Sequence, residues 1–178
     1  LLCDGMGTGK AAAIDGNLSA SLSEQLLSAG FAAEETARLV NIALTLKGRG
    51  EAEAGATMDA LRVNLFTGAA QLFKAGAVAS YLVRQGVVTM LGGESLPIGI
   101  LNHVTGCTDS LQLEQDDMLV LVSDGATAAD PDWIFAELSL AQAGAPQTLA
   151  ESLAKAAQIR TKRPDDITVA CMRLSRAG

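Results

Sequence analysis

The feature that most constrains the fold is a run of short apolar segments separated by turn residues between positions 61 and 122. In the first segment Leu61, Val63 and Leu65 alternate with polar residues, as in a strand with one buried face. Gln85-Gly86 is typical of a tight hairpin turn. Met118 to Val122 is apolar throughout, which predicts a strand at the centre of a sheet. The predicted strands cover residues 61–65, 70–74, 78–84, 87–91, 108–113 and 118–122.

Helical patterns lie on both sides of these strands. Gly30 stands where a C′ glycine would end the first helix, and Ala37, Val40 and Leu44 form the inner stripe of the second. A last strand, 167–172, closes the chain. We therefore predict one domain over residues 1–178, of the α+β class with largely antiparallel sheets. The predicted helices cover residues 9–29, 33–46, 131–143 and 148–159, with Pro131 in the first turn of the third.

Composition excludes several classes of protein. Hydrophobic residues make up 49% of the chain and aromatic residues only 3%, so an aliphatic core is expected. The net charge of −7 disfavours nucleic-acid binding, which needs clustered Lys and Arg. No apolar stretch approaches the ~20 residues of a membrane-spanning helix.

The cysteines and the one histidine carry no recognisable site. The three cysteines are widely spaced, which suits a reducing, cytoplasmic compartment and excludes a disulfide scaffold or a structural zinc site. We interpret them as small buried thiols. His103 is the only histidine and is predicted to lie at the surface. The cysteines are Cys3, Cys107 and Cys171.

The glycine-rich segment from Asp4 to Lys10 resembles a nucleotide-binding loop but lacks its chemistry. A P-loop, G-x-x-x-x-G-K-[ST], would need glycine at Asp4 and a hydroxyl at Ala11. A dinucleotide-binding G-x-G-x-x-G fails because Lys10 replaces the third glycine. The glycines instead allow close backbone approach around Asp4.

Three acidic motifs adjoin apolar strands. Asp4-Gly5 follows Leu1-Leu2-Cys3, Asp124-Gly125 follows a longer apolar run, and Asp165-Asp166 precedes the last strand. We expect the three carboxylates to meet at one edge of the sheet, where a divalent cation would relieve their repulsion. Oxygen ligands without His or Cys favour Mg²⁺ or Mn²⁺ over zinc, and a glycine carbonyl is sterically open to serve as a further ligand.

The alternative is that each Asp-Gly pair is an ordinary turn after a strand. The repetition of the pattern at strand ends favours the metal interpretation. Asp116-Asp117, by contrast, begins a strand in a polar turn and is interpreted as a solvated hairpin.

The motifs DGMGTGK, LPIGIL, LVLVSDG and PDDITV, in this order, resemble those of the metal-dependent type 2C (PPM) protein phosphatases. More narrowly they are similar to the catalytic domain of stage II sporulation protein E. The resemblance covers essentially the whole chain and implies an α-β-β-α sandwich and a two-metal protein serine phosphatase. It implies that Asp4 bridges two Mn²⁺ or Mg²⁺ ions, that the Gly5 carbonyl binds one of them, and that Asp124 and Asp165 bind the other, with Asp166 beside it.

The same resemblance implies a substrate and a regulatory element. The expected substrate is a phosphoserine on an anti-anti-sigma factor of the STAS type, whose dephosphorylation releases a sporulation sigma factor. The helices 9–29 and 33–46 would act as a regulatory switch. The run Arg160 to Arg163 could hold the phosphoprotein, although a solvated loop is the favoured interpretation.

The chain departs from the family pattern at its start, which lies inside an apolar run three residues before Asp4. Family members usually have further strands and another acidic residue upstream. We therefore expect a truncated domain that is less active than a longer chain, or that dimerises to cover exposed sheet. The alternatives left open are a catalytically weak or inactive regulatory module of the same fold and a related phosphatase with a stress-response or signalling target. The parent protein could be anchored to a membrane through another segment.

Overall fold

A computed structural model of the chain describes residues 1–48, 54–128, 132–140, 144–161 and 165–175. They fall into two compact units. The first comprises Leu1–Ala77 and Gly92–Leu111, and the second comprises Val78–Leu91 and Gln112–Gly178. The elements in chain order are β1 (Leu2–Gly5), α1 (Lys10–Ser28), α2 (Ala33–Gly48), β2 (Ala56–Val63), β3 (Ala69–Ala75), β4 (Ser80–Arg84), β5 (Val87–Leu91), β6 (Cys107–Gln112), β7 (Met118–Val122), α3 (Asp124–Thr127), α4 (Asp132–Leu140), α5 (Pro146–Arg160) and β8 (Val169–Arg173).

The first unit contains a four-stranded sheet of order β1-β2-β3-β6 and the helices α1 and α2. The strand pairs β1–β2 and β2–β3 are antiparallel. The predicted inner stripe of α2 is confirmed, because Ala37, Val40 and Leu44 are fully buried. These side chains pack with Met58 and Phe73 of the sheet in one apolar cluster.

Helix α1 buries an unusual face. Its buried residues are small or polar, and they include Ala12, Gly16 and Ser19. A Cβ atom at Gly5 of β1 would overlap the carbonyl oxygen of Ala12. The small side chains are therefore needed because the backbones of α1 and β1 approach each other closely. The helix ends as expected, with Gly30 in the left-handed region at φ 95°.

The second unit contains a four-stranded sheet of order β5-β4-β7-β8 with antiparallel pairs throughout. Every residue of β7 is buried, and this strand lies between β4 and β8. The prediction of a central strand is thus confirmed. Tyr81 and Val120 pack in one apolar cluster with Trp133 and Ile134 of α4. Two sheets with antiparallel pairing, each packed with helices, confirm the α+β class.

The structure departs from the predicted elements at Leu65 and directly after β7. The strand predicted to reach Leu65 ends at Val63, because the side chain of Asn64 accepts hydrogen bonds from two backbone N–H groups of the following turn and stops the ladder. Leu65 is left 78% exposed. The short helix α3 was not predicted. Pro131 and the end of its helix near Ala143 lie outside the described residues.

No helix of the described ranges is both long enough and apolar enough to span a membrane.

Candidate metal centre

Asp4 lies in β1, at the edge of the first sheet, and is half-buried. Its backbone N–H donates to Thr57 Oγ1 at 3.2 Å. The register pairs Asp4 with Thr57 and Leu2 with Asp59. Since paired residues of antiparallel strands project from the same face, Asp4 and Asp59 share one face of the sheet. Met58, which packs with α2, lies on the other.

Gly5 has a packing role that the sequence did not reveal. Besides the overlap with Ala12, a Cβ atom on Gly16 would lie 2.9 Å from the Gly5 backbone nitrogen. Glycine at both positions therefore lets α1 rest directly on the strand that carries Asp4. Glycine at position 5 is required for this packing, and it also leaves the Gly5 carbonyl sterically open, as the expected metal ligand would need.

Asp124 is exposed and is the first residue of α3, directly after the buried strand β7. Its Oδ1 accepts a hydrogen bond of 2.9 Å from the Gly125 N–H. The main-chain carbonyl of Asp124 accepts a bond of 3.0 Å from Thr127 Oγ1. The strand-to-helix turn thus holds the aspartate at the end of the sheet.

Asp165 and Asp166 are exposed and precede β8. Asp165 Oδ1 accepts a hydrogen bond of 3.0 Å from the Asp166 N–H. A Cβ atom on Gly125 would overlap the Asp166 carbonyl oxygen and would lie 3.4 Å from the Asp165 Cβ. The structure therefore packs the second acidic motif directly against the third, within one unit.

The expectation that all three motifs meet at one edge of one sheet is wrong. Asp4 belongs to the first sheet, whereas Asp124 and Asp165 adjoin β7 and β8 of the second. The physical reason is that the chain builds two separate sheets. Periodicity along one sequence does not reveal which strands share hydrogen bonds.

A buried ion pair in the first unit was missed by the sequence argument. Lys74 Nζ donates to Asp59 Oδ1, and the two residues are opposite each other in the β2–β3 register. Their side chains are 0% and 1% exposed. Burial raises the pKa of Asp59 and lowers the pKa of Lys74, while their mutual attraction opposes both shifts. The pair lies on the face of the sheet that also carries Asp4.

The interpretation of Asp116-Asp117 as a solvated hairpin is wrong for Asp117. This side chain is 2% exposed, and its carboxylate receives Arg84 Nε at 2.9 Å and Nη2 at 2.6 Å. It also accepts the Glu114 N–H at 2.7 Å. The reason is that Arg84 lies on β4, which pairs with β7, so the guanidinium reaches across to the turn. Asp116 is exposed, as expected.

The cationic run near the third motif is partly committed to internal contacts. Arg160 Nη2 lies 3.0 Å from Glu137 Oε1, and its guanidinium stacks 4.5 Å from the centroid of the Trp133 ring. Lys162 and Arg163 lie outside the described residues. Arg160 therefore fastens α5 to α4, and its charge is already paired.

The three cysteines are free and half-buried, so they are less enclosed than predicted. Burial raises the pKa of Cys3 to about 12 and that of Cys171 to about 11. The thiols are therefore poor nucleophiles at neutral pH. His103 is exposed, as predicted.

The donor chemistry fits a hard divalent cation. Asp124, Asp165 and Asp166 belong to two motifs that pack against each other in the second unit, and Asp4 lies in the first. In the described part of the chain, no group of three or more His, Cys, Asp and Glu side chains is arranged to hold a metal ion. The fit therefore rests on the type of donor and on the packing of the second motif against the third.

Comparison with known proteins identifies the relatives. The family model described as stage II sporulation protein E (SpoIIE) matches residues 1–175. The stage II sporulation protein E of Bacillus subtilis (strain 168) is 28% identical over 97% of this chain, which spans 22% of that protein. That of Priestia megaterium is 27% identical over 97% of this chain, which spans 31% of its length.

A solved structure shares the fold. The PP2C phosphatase domain of the cell fate determinant SpoIIE from Bacillus subtilis, with a fragment of its regulatory domain, is 25% identical and has a TM-score of 0.83. The match covers 97% of this chain and 52% of that chain. The fold is thus that of a PP2C phosphatase domain. Within that class, the chain belongs to the SpoIIE family.

Proposed function

We propose that this chain is a metal-dependent protein serine phosphatase. The observation that carries the proposal is the packing of Asp124-Gly125 against Asp165-Asp166 in a chain that matches the SpoIIE family over residues 1–175. Two carboxylate motifs, brought together after the buried strand β7 and before β8, provide the oxygen ligands that Mg²⁺ and Mn²⁺ prefer. The two sporulation proteins that this chain matches are much longer than it, so the proposal concerns only the reaction of this domain.

The residues proposed to hold two Mn²⁺ or Mg²⁺ ions are Asp4, the Gly5 carbonyl, Asp124, Asp165 and Asp166. When bound, the ions activate water for attack on phosphorus and neutralise charge on the phosphoryl oxygens. A SpoIIE phosphatase domain solved after presoaking with Mn favours manganese. That structure is 24% identical, with a TM-score of 0.63, and the match covers 90% of this chain and 73% of that chain.

The chain's own groups have two tasks in this proposal. The β1–α1 contact at Gly5 holds the Asp4 backbone in place, and the α3 turn orients Asp124. Hydrolysis breaks the bond between phosphorus and the serine oxygen, and it leaves inorganic phosphate and a serine hydroxyl. No step requires a histidine or cysteine nucleophile, which agrees with the raised pKa values of Cys3 and Cys171.

The proposed substrate is a phosphoserine on a STAS-type anti-anti-sigma factor, in the cytoplasm, with sigma-factor activation as the outcome. The names of the relatives refer to sporulation, which supports the sporulation context of this proposal. A phosphatase of the same family with a stress-response or signalling target remains the alternative.

Release of phosphate from a phosphorylated STAS protein tests the substrate. We expect Mn²⁺-dependent release that is faster than release from a phosphoserine peptide of unrelated sequence. Asp124→Asn should abolish both reactions. Equal rates on the two substrates would contradict the STAS assignment and leave the phosphatase assignment standing.

A further inference from the structure

The strand-to-helix switch after β7 contains a serine whose hydroxyl does not have its usual role. Ser123 precedes α3 and has the extended conformation of an N-cap residue, with φ −78° and ψ 164°. A serine at this position normally accepts a hydrogen bond from the first turn of the helix. Here the side chain makes no capping bond. Ser123 is nevertheless only 6% exposed, so its hydroxyl must be satisfied elsewhere.

The Ser123 hydroxyl replaces a backbone carbonyl in one hydrogen bond of the β7–β8 pairing. The Ser123 N–H donates to the Thr168 carbonyl at 3.0 Å, which continues the β7–β8 pairing by one residue. In a regular antiparallel pair the Thr168 N–H would return a bond to the Ser123 carbonyl. That carbonyl instead accepts the Ala126 N–H at 3.0 Å, because the chain has already turned into α3. The Thr168 N–H donates to Ser123 Oγ at 2.9 Å instead.

The same hydroxyl donates its proton to the third acidic motif. Ser123 Oγ lies 3.1 Å from the Asp166 carbonyl oxygen. One side-chain oxygen therefore binds both ends of the segment 166–168, as acceptor at Thr168 and as donor at Asp166. This segment leads directly out of the Asp165-Asp166 pair, so its position sets where those carboxylates lie.

Gly125 completes the contact from the other side. Any side chain at Gly125 would overlap the Asp166 carbonyl that Ser123 holds. The serine draws the segment towards the Asp124 turn, and the glycine leaves room for it. These two residues flank Asp124 in the sequence, so all three positions of Ser123-Asp124-Gly125 act on the same place.

We propose that Ser123 is a positioning residue that holds Asp165 and Asp166 beside Asp124. Its hydroxyl oxygen does this by replacing its carbonyl oxygen as the acceptor of the Thr168 N–H in the β7–β8 ladder. The inference itself concerns the positions of Asp165 and Asp166. Only its expected consequence, a change in metal affinity, rests on the proposed function. Groups that orient metal ligands typically change metal affinity about 10–100-fold when they are removed.

The first test is Mn²⁺ binding to the whole chain, measured by the electron paramagnetic resonance signal of free Mn²⁺. We expect Ser123→Ala to weaken binding about 10–100-fold. Ser123→Thr, which keeps the hydroxyl, should recover most of the affinity. The matched control is Ser139→Ala, since Ser139 Oγ is exposed and donates to the Phe135 carbonyl of its own helix. This control should bind Mn²⁺ like the wild type.

The second test needs no metal. Amide hydrogen exchange of Thr168 should be at least about tenfold faster in Ser123→Ala than in the wild type, because its acceptor is gone. The Ala170 amide, two residues further along β8, should change much less. Unchanged exchange at Thr168, or unchanged Mn²⁺ affinity in Ser123→Ala, would overturn the positioning role.

The outcomes separate this inference from the proposed function. If the wild type binds no Mn²⁺ while Thr168 exchange responds to Ser123→Ala, the ladder role stands and the metal assignment fails. If Ser123→Ala does not fold, Ser123→Thr is compared with Ser123→Cys, whose sulfur is a weak donor and acceptor. Equal Mn²⁺ affinity of those two variants would overturn the inference.

Discussion

The buried pair of Asp59 and Lys74 gives the sharpest prediction about stability. Replacing Lys74 by methionine keeps most of the side-chain volume and removes the charge. It leaves the Asp59 carboxylate buried without its partner. Asp59 Oδ2 already has no hydrogen-bond partner among the described residues. The surrounding protein therefore offers little to replace the lost ammonium group.

The expected loss is large. Removing one partner of a buried ion pair costs about 3–5 kcal/mol, because an uncompensated charge is left in a low-dielectric site. For a chain of this length each kcal/mol lowers the melting temperature by about 2–4 °C. Lys74→Met should therefore lower it by about 6–20 °C. The double variant Asp59→Val/Lys74→Met should recover most of that loss, since an apolar pair needs no counter-charge.

Thermal and urea unfolding, followed by circular dichroism, measure both variants. The matched control is Arg38→Met, because Arg38 and Glu35 form an exposed pair with side chains 67% and 51% accessible. An exposed pair contributes only about 0–1 kcal/mol. A loss below about 1 kcal/mol for Lys74→Met, or a double variant as unstable as the single one, would refute the role given to the buried pair.

Three further predictions concern other parts of the two units. Arg84→Ala should lower the midpoint of urea unfolding, because it leaves the buried Asp117 carboxylate without its guanidinium partner; a loss no larger than for an exposed charge would count against it. Burial raises the pKa of Cys171 to about 11 from 9.0, so this thiol should stabilise the fold fully below pH 9 and lose that contribution as pH rises through 11. The stability profile of Cys171→Ala should be flatter over that range, and an unchanged slope would exclude this thiol as the cause. Gly5→Ala should lower the melting temperature far more than Gly93→Ala, whose added Cβ would make only ordinary contacts; equal effects would contradict the close approach of β1 and α1.

Much of the secondary structure followed from local patterns. The stripe of Ala37, Val40 and Leu44 repeats with helical spacing, and all three residues are buried as that spacing predicts. The uninterrupted apolar run from Met118 to Val122 predicted a central strand, and every residue of that strand is buried. Local residue patterns determine these two elements, so the sequence alone is sufficient to predict them.

The features that the sequence missed depend on strand register. Asp59 and Lys74 are buried together only because β2 pairs with β3 in one particular register. Asp117 is buried only because Arg84 reaches it from the neighbouring strand. A shift of one residue would turn each side chain to the other face, so the burial of these charged residues follows from strand pairing and not from their own residue types.

The candidate site was predicted in part. The sequence identified Asp124 and Asp165 as neighbours, and their motifs are packed together. It did not identify Ser123, because Ser-Asp-Gly after a strand indicates an ordinary helix cap. The partners of its hydroxyl lie more than 40 residues further along the chain, at Asp166 and Thr168.

Phosphate release from a phosphoserine peptide, with Mn²⁺ and then with excess chelator, decides whether this domain is a metal-dependent phosphatase. We expect release that depends on Mn²⁺, stops with the chelator, and is lost in Asp124→Asn and Asp165→Asn. Asp116→Asn is the matched control, since Asp116 is exposed in a turn and should keep wild-type activity. Release that survives the chelator, or that is unaffected by Asp124→Asn, would contradict a metal-dependent phosphatase.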